Sequence, residues 1–248
     1  MSARSLSVIA FDADDTLWQN EHFFRQAEEQ FAALLADYAG PEEVAERLLA
    51  AEQRNLAVYG FGIKGFTLSM IETAIAVSGE RAPAGLIREI VELGREMLAH
   101  PVELLAHVPD TLTELRASYR LLLVTKGDLF DQERKLEASG LADHFAAVEI
   151  VSDKTRATYE RIFTRHGRGP AHGMMVGNSL KSDVVPAIEA GGWGVHVPHP
   201  FTWALEHAEV PEGHPRFRCI AHLGELPGVV RAIADSPAME EREKATCR

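Results

Sequence analysis

Residues 8–18 read "VIAFDADDTLW", an apolar run set directly against three aspartates within four positions. The run extends back to Leu6 as "LSVIAF", too short for a helix and rich in branched side chains, which predicts a buried strand over 6–11. Asp12 then falls at the strand's carboxyl end, with Asp14 and Asp15 just beyond it. Carboxylates crowded in this way repel one another and raise each other's pKa unless a cation joins them. A hard divalent ion such as Mg²⁺ suits the set, because it prefers carboxylate, carbonyl and water oxygens. Aspartate is also favoured in turns and helix caps, so the stretch alone leaves both readings open.

Four further apolar runs share the character of the first: "YRLLLVT" at 119–125, "FAAVEIV" at 145–151, "HGMMVG" at 172–177 and "WGVHV" at 193–197. Helical patterns lie between them at 129–139, 155–167 and 181–191, the last closing in Gly191-Gly192. Strand alternating with helix predicts an α/β fold with a doubly wound parallel sheet, in which ligands bind beyond the carboxyl ends of the strands. The other strand ends are chemically equipped as well. Thr125 is followed by Lys126 and Gly127, Lys154 comes shortly after the third run, and the fourth ends in Gly177, Asn178 and Ser179 with Asp183 behind. One edge of the sheet thus collects an acidic set beside hydroxyl and ammonium donors.

Between the first and second runs this rhythm stops. Residues 20–105 read as helices only, punctuated at Gly40-Pro41, Gly60, Gly79 and His100-Pro101, and predict an all-helical insertion over the sheet's carboxyl edge. Within it, "YGFGIKGFTLSM" at 59–70 is a glycine-rich stretch suited to a loop that reaches toward substrate, with Lys64 as a candidate anion contact. The histidines at 196, 199, 207 and 214 are irregularly spaced among prolines and read as surface loop rather than a second metal site. Trp203 is expected to be a packed aromatic near the pocket.

Composition narrows the partners. The chain has 248 residues, 46% of them hydrophobic, enough for a sizeable core with an inserted smaller unit. A net charge of -12 and no basic stripe with interleaved aromatics argue against nucleic acid and against an anionic membrane surface. No stretch approaches about 18 uninterrupted apolar residues, and the opening "MSARSLSVIAFDADD" lacks the apolar length of a secretory signal. With only Cys219 and Cys247, a disulfide framework is not expected, and the reading is a cytoplasmic protein. The oligomeric state is left open.

Taken together and in order, these strand ends resemble the motifs of the haloacid dehalogenase superfamily: DxDxT, a strand ending in Thr or Ser, a downstream Lys, and an acidic fourth motif. The resemblance runs from about Val8 to Val197, with "DADDT" as the first motif. It implies a Rossmann-like catalytic core formed by residues 1–19 and 106–235, a helical cap at 20–105, and a polar tail at 236–248. It makes Asp12 the nucleophile and Asp14 the general acid/base. Thr16 would fix the turn, with Thr125, Lys126 and Lys154 at the phosphate. Mg²⁺ would lie on Asp12, the Asp14 backbone carbonyl, Asn178 and Asp183. The expected activity is Mg²⁺-dependent hydrolysis of a small-molecule phosphate monoester through a phosphoaspartate. Asn178 departs from the pattern, standing where relatives often carry Asp, and leaves Asp183 as the fourth motif's only carboxylate. A 2-haloacid dehalogenase, a phosphonate hydrolase, and a non-catalytic binder with a decayed site are the alternatives. Asp14 argues against the first, since a departing halide needs no proton.

Overall fold

The computed structural model describes residues 6–235, so the tail expected at 236–248, with Cys247, lies outside the described residues. Its centre is a parallel sheet of β1 (Val8–Phe11), β2 (Arg120–Lys126), β3 (Ala147–Val151), β4 (Gly173–Gly177), β5 (Trp193–His196) and β6 (Phe217–Cys219), ordered β3-β2-β1-β4-β5-β6. The chain reverses direction of travel across the sheet at β1, with β2 on one side and β4 on the other: Ile9 is in register with both Leu121 and Met174. Crevices at such a reversal receive ligands.

Side-chain alternation explains why the central strands are apolar throughout. Ile9, Phe11, Leu121, Leu123, Met174 and Val176 pack on one face, and Val8, Ala10, Leu122, Val124 and Met175 on the other. The first face is covered by α5 (Val108–Arg116), α6 (Leu129–Ser139) and α9 (Leu226–Asp235), and the second by α7 (Arg156–His166) and α8 (Val185–Glu189). A strand buried on both faces has no polar side to betray its period, and it reads as a continuous apolar run.

Two details differ from the sequence expectation. β6, "FRC", was not anticipated; it is an edge strand whose Arg218, like the neighbouring Arg216, lies over the Trp193 ring at 5.0 and 5.5 Å. Charged edge strands carry no apolar run to read. The helix expected at 181–191 is in fact a π turn, Leu180–Val184, followed by the short α8. Pro186 supplies no N–H for a regular helical bond at that point, and the wide turn swings Asp183 back under Gly177.

Residues between β1 and β2 form α1 (Glu21–Leu34), α2 (Pro41–Tyr59), α3 (Ile63–Val77) and α4 (Ala84–Ala99) before α5 returns to the sheet. These four helices share a core of their own, built on Phe31, Leu48, Phe66, Met70 and Ile90. The chain enters and leaves this helical unit by two segments lying side by side: Gln19 N donates to Glu103 O and Leu105 N to Leu17 O, both at 2.9 Å. Gly60 and Gly62 take the left-handed region between α2 and α3, at φ 72° and 114°, which turns Phe61 toward the sheet's carboxyl edge.

Candidate active site

At the end of β1 the chain makes a tight turn in which Leu17 N returns to Ala13 O at 2.8 Å. Asp15 occupies the left-handed region at φ 59°, and its carboxylate accepts from the backbone N–H groups of Asn20 and Glu21 at 2.9 and 3.0 Å, capping the start of α1. Asp15 is thus a structural turn residue, as expected, and it frees Asp12 and Asp14 to face the edge.

Asp12, Lys154 and Asp183 come together although 171 positions separate the first from the last. The Lys154 ammonium bridges them, in very close contact with Asp12 Oδ1 and 2.7 Å from Asp183 Oδ1. The Thr16 hydroxyl lies 3.2 Å from Asp12 Oδ2 and 3.3 Å from Asn178 Oδ1, and it accepts from Asn178 N at 3.0 Å. The remaining Asp183 oxygen accepts from Ser179 N at 3.0 Å. A Cβ at Gly177 would stand 2.2 Å from Asp183 Oδ2, so only glycine leaves room for this carboxylate.

Charge explains the bridge. Burial pushes the Asp12 carboxyl up and Asp183 pushes it further, against the opposing pull of Lys154. Burial would lower the Lys154 ammonium, but Asp12 and Asp183 hold it well above the ordinary lysine range. Two carboxylates without a cation between them would be costly at this depth. The donor set, comprising two carboxylates, the Asn178 amide oxygen and the Asp14 carbonyl, is made of hard oxygens of the kind a divalent ion takes. By the chemistry of that donor set, these residues fit such an ion.

Asp14 is arranged differently. Its carboxylate accepts from Trp18 Nε1 at 2.8 Å, Gln132 Nε2 at 2.9 Å and Lys135 Nζ at 3.0 Å. Burial would raise it, but Lys135 and these donors more than offset that and hold it below the usual carboxylate range. Gln132 and Lys135, both on α6, went unnoticed in the sequence; a helix interior following Gly127-Asp128 carries no motif to mark them.

Asp12, Asp14, Lys154 and Asp183 line one cavity, and Thr125, 1% exposed, lines it as well. Lys126 lines it too, but its ammonium contacts Glu206 Oε1 at 2.7 Å and Ser182 Oγ at 2.8 Å and lies 4.0 Å from the centre of the Phe61 ring. Glu206, also missed in the sequence, is held ionised against its burial by Lys126 and by donation from Ser179 and Ser182. Trp203 packs edge-on to Phe61 at 6.2 Å and borders the cavity. Lys64 is the exception among the candidates. It does not line the cavity; its exposed ammonium pairs with Asp128 Oδ1 at 2.9 Å, tying α3 to the start of α6. The glycine-rich stretch around it does reach the cavity, through Gly60, Phe61, Gly62, Ile63 and Gly65. His196 contacts Asn178 O and His199 lies near Asp15, and no metal-holding group of three His, Cys, Asp or Glu occurs among the described residues.

A strand end carrying Asp12, a bridging lysine and a crevice where the sheet reverses accord with a hydrolase of the haloacid dehalogenase type. A family model for haloacid dehalogenase-like hydrolases matches residues 6–191, and the chain belongs to that family, whose members generally use a divalent metal ion. A haloacid dehalogenase-like hydrolase from Xanthomonas campestris is 41% identical, with a TM-score of 0.84 over 94% of both chains. The human N-acylneuraminate-9-phosphatase is 27% identical over 202 residues, spanning 77% of this chain and 82% of its own. The L-2-haloacid dehalogenase of Xanthobacter autotrophicus shares the fold, with a TM-score of 0.63 at 17% identity over 92% of this chain and all of its own. Among the described residues no helix is long and apolar enough to cross a membrane.

Proposed function

We propose that this protein is a Mg²⁺-dependent phosphatase that hydrolyses a small-molecule phosphate monoester through a phosphoaspartate on Asp12. The observation that carries the reading is the pairing of Asp12, at a strand end and bridged to Lys154, with a second carboxylate two residues on that has its own separate cation. Similarity to a phosphatase supports the same reaction class.

In the first step an Asp12 carboxylate oxygen bonds to phosphorus as the ester P–O bond breaks, and the departing oxygen takes a proton from the Asp14 carboxyl. In the second, water attacks the same phosphorus, Asp14 accepts its proton, and the Asp12 carboxylate is regenerated as inorganic phosphate leaves. Lys154 and the Thr125 hydroxyl hold the phosphoryl oxygens, and Lys126 adds positive charge once phosphate competes with Glu206. Asp12, the Asp14 carbonyl, Asn178 and Asp183 would hold Mg²⁺, which supplies further charge neutralisation beside the nucleophile. In the arrangement observed Asp14 is ionised, the form that takes a proton from water. Donation to the leaving oxygen needs the protonated form, so Lys135 sets the balance between the two steps. Residues 20–105 serve as a cap that excludes water from the first step. The dehalogenase alternative gives Asp14 no task.

The test is phosphate release from an aryl phosphate and a panel of metabolite phosphates, with Mg²⁺ or with chelator. Release that needs Mg²⁺ and falls by about 10³-fold or more in Asp12→Asn is expected. A folded protein that releases no phosphate from any member, or Asp12→Asn as active as wild type, overturns the reading.

A further inference from the structure

The Lys126 ammonium, which the reaction brings to the phosphate, is already held by another group. Glu206 ends the short turn Ala204–Glu206 between β5 and β6 and reaches into the cavity, with Oε1 2.7 Å from Lys126 Nζ. Its Oε2 accepts from the Ser179 and Ser182 hydroxyls, both at 2.5 Å. Lys126 Nζ also donates to Ser182 Oγ at 2.8 Å, which closes a ring of contacts. The lysine and glutamate side chains are only 12% and 16% exposed, and the Phe61 ring covers the ammonium at 4.0 Å from its centre.

This ring spans the strand end that carries Asp12. β2 and β4 flank β1, so Lys126 comes from one side of it and the two serines from the other. Ser179 adjoins Asn178 and Ser182 adjoins Asp183, two of the residues that would hold a divalent ion. With little water to screen it, an unpaired ammonium here would repel that ion and attract a phosphate. Anchoring the segment does not require a buried carboxylate. Lys181 Nζ already ties Leu205 O to the π turn at 2.8 Å, and Trp203 packs edge-on to Phe61. Burying a carboxylate is costly, and the lysine and hydroxyls that Glu206 meets are what offset that cost. What Glu206 adds beyond anchoring is its charge.

We propose that Glu206 is a positioning residue for the reaction: acting through Lys126, it holds that ammonium neutralised beside the metal-binding turn until a phosphate competes for it. The proposal rests on the phosphatase reading of the same site, in which Lys126 meets the phosphoryl group. Removing the carboxylate charge then has two effects of opposite sign. The divalent ion binds more weakly, because the lysine beside its ligands is no longer neutralised, and phosphate binds more tightly, because it meets no competitor. A residue that only braced the fold would weaken both ligands together.

The experiment measures two constants by calorimetry, neither of which needs turnover: the Kd of Mg²⁺ without phosphate, and the Kd of inorganic phosphate at saturating Mg²⁺. Glutamine has nearly the shape of glutamate and keeps one acceptor oxygen for the serines. In Glu206→Gln, Mg²⁺ is expected to bind about tenfold or more weaker and phosphate about threefold or more tighter. In Lys126→Met/Glu206→Gln, Mg²⁺ affinity should return to within about threefold of wild type and the gain in phosphate affinity should vanish. Should Glu206→Gln fail to fold, Lys126→Met tests the pair from the other side. There the unpaired carboxylate should tighten Mg²⁺ by about threefold or more. Any other result in Glu206→Gln, a phosphate gain that survives the double substitution, or Mg²⁺ affinity unchanged or weakened in Lys126→Met overturns the proposal. So does a wild type that binds neither ligand. Failure to hydrolyse any ester rejects the phosphatase reading, and these two constants still decide whether Glu206 governs Lys126.

Discussion

Both ends of the cavity are lined by acidic side chains, and they are treated in opposite ways. At the sheet edge Lys154 lies between Asp12 and Asp183, Lys135 on Asp14 and Lys126 on Glu206. On the helical wall Glu21, Glu28 and Glu52 make no ion pair among the described residues, and burial raises their carboxyls by more than Arg25 lowers those of Glu21 and Glu28. The sheet edge is organised before any ligand arrives, which is how a site that must stabilise a transition state is expected to look. The helical wall has no such pairing, and burial dominates its carboxyls.

Substitutions at the organised end should be the more damaging. Beyond the loss expected for Asp12→Asn, Lys154→Met leaves Asp12 and Asp183 buried against each other. A stability loss of about 3–5 kcal/mol near neutral pH is expected by urea denaturation, as for other buried pairs broken on one side. If Lys154→Met is as stable as wild type, the bridge is not what holds the two carboxylates together. Gly177→Ala should cost about 1–3 kcal/mol and weaken divalent-ion binding, because its Cβ would meet Asp183 Oδ2 at 2.2 Å. Unchanged stability and metal affinity would mean that the π turn yields without moving Asp183.

A subtler change tests the tuning of Asp14. Lys135→Met removes the ammonium that holds this carboxyl low, so its pKa rises. The acidic limb of the kcat profile should move to higher pH by about one unit, with kcat near pH 7 changing less than kcat on the limb itself. An unshifted limb would show that Asp14 leaves Lys135 whenever substrate is bound.

The smallest effect is expected on the helical wall, with the opposite sign. The Glu52 carboxyl stands at about 8 in the fold against an ordinary value of 4.5. In that window the unfolded chain ionises first, so this residue's contribution to stability falls as pH rises from 4.5 and the loss is complete above 8. Glu52→Gln should therefore raise Tm at pH 8 by roughly 2–6 °C, about 1–2 kcal/mol after allowance for its partial exposure, with the gain vanishing near pH 4.5. A gain independent of pH would mean that the carboxylate is not the source.

Much of the edge chemistry was legible because each residue sits at the end of a recognisable apolar run. Asp12 and Asn178 follow strands that are buried on both faces and Thr125 lies near the end of another, so their position at the carboxyl edge follows from where the run stops. Lys154 and Asp183 could be placed only by motif order, since the loops that carry them fold back over different distances. Lys64 illustrates the limit in the other direction: its stretch reaches the cavity, but on α3 its own side chain leaves from the face that meets Asp128. Gln132, Lys135, Glu206 and the three wall glutamates were invisible because nothing in a helical or loop sequence says which face will meet a strand end far away in the chain.

By itself the sequence determined the parallel sheet, the helical unit inserted after its first strand, and the residues delivered to the sheet's edge. All of these follow from local periodicity and from where apolar runs end. Only the tertiary structure decided which charges share a cation and which do not. A pKa or an unmet hydrogen bond belongs to a set of groups assembled from several elements, and no single stretch of chain contains that set.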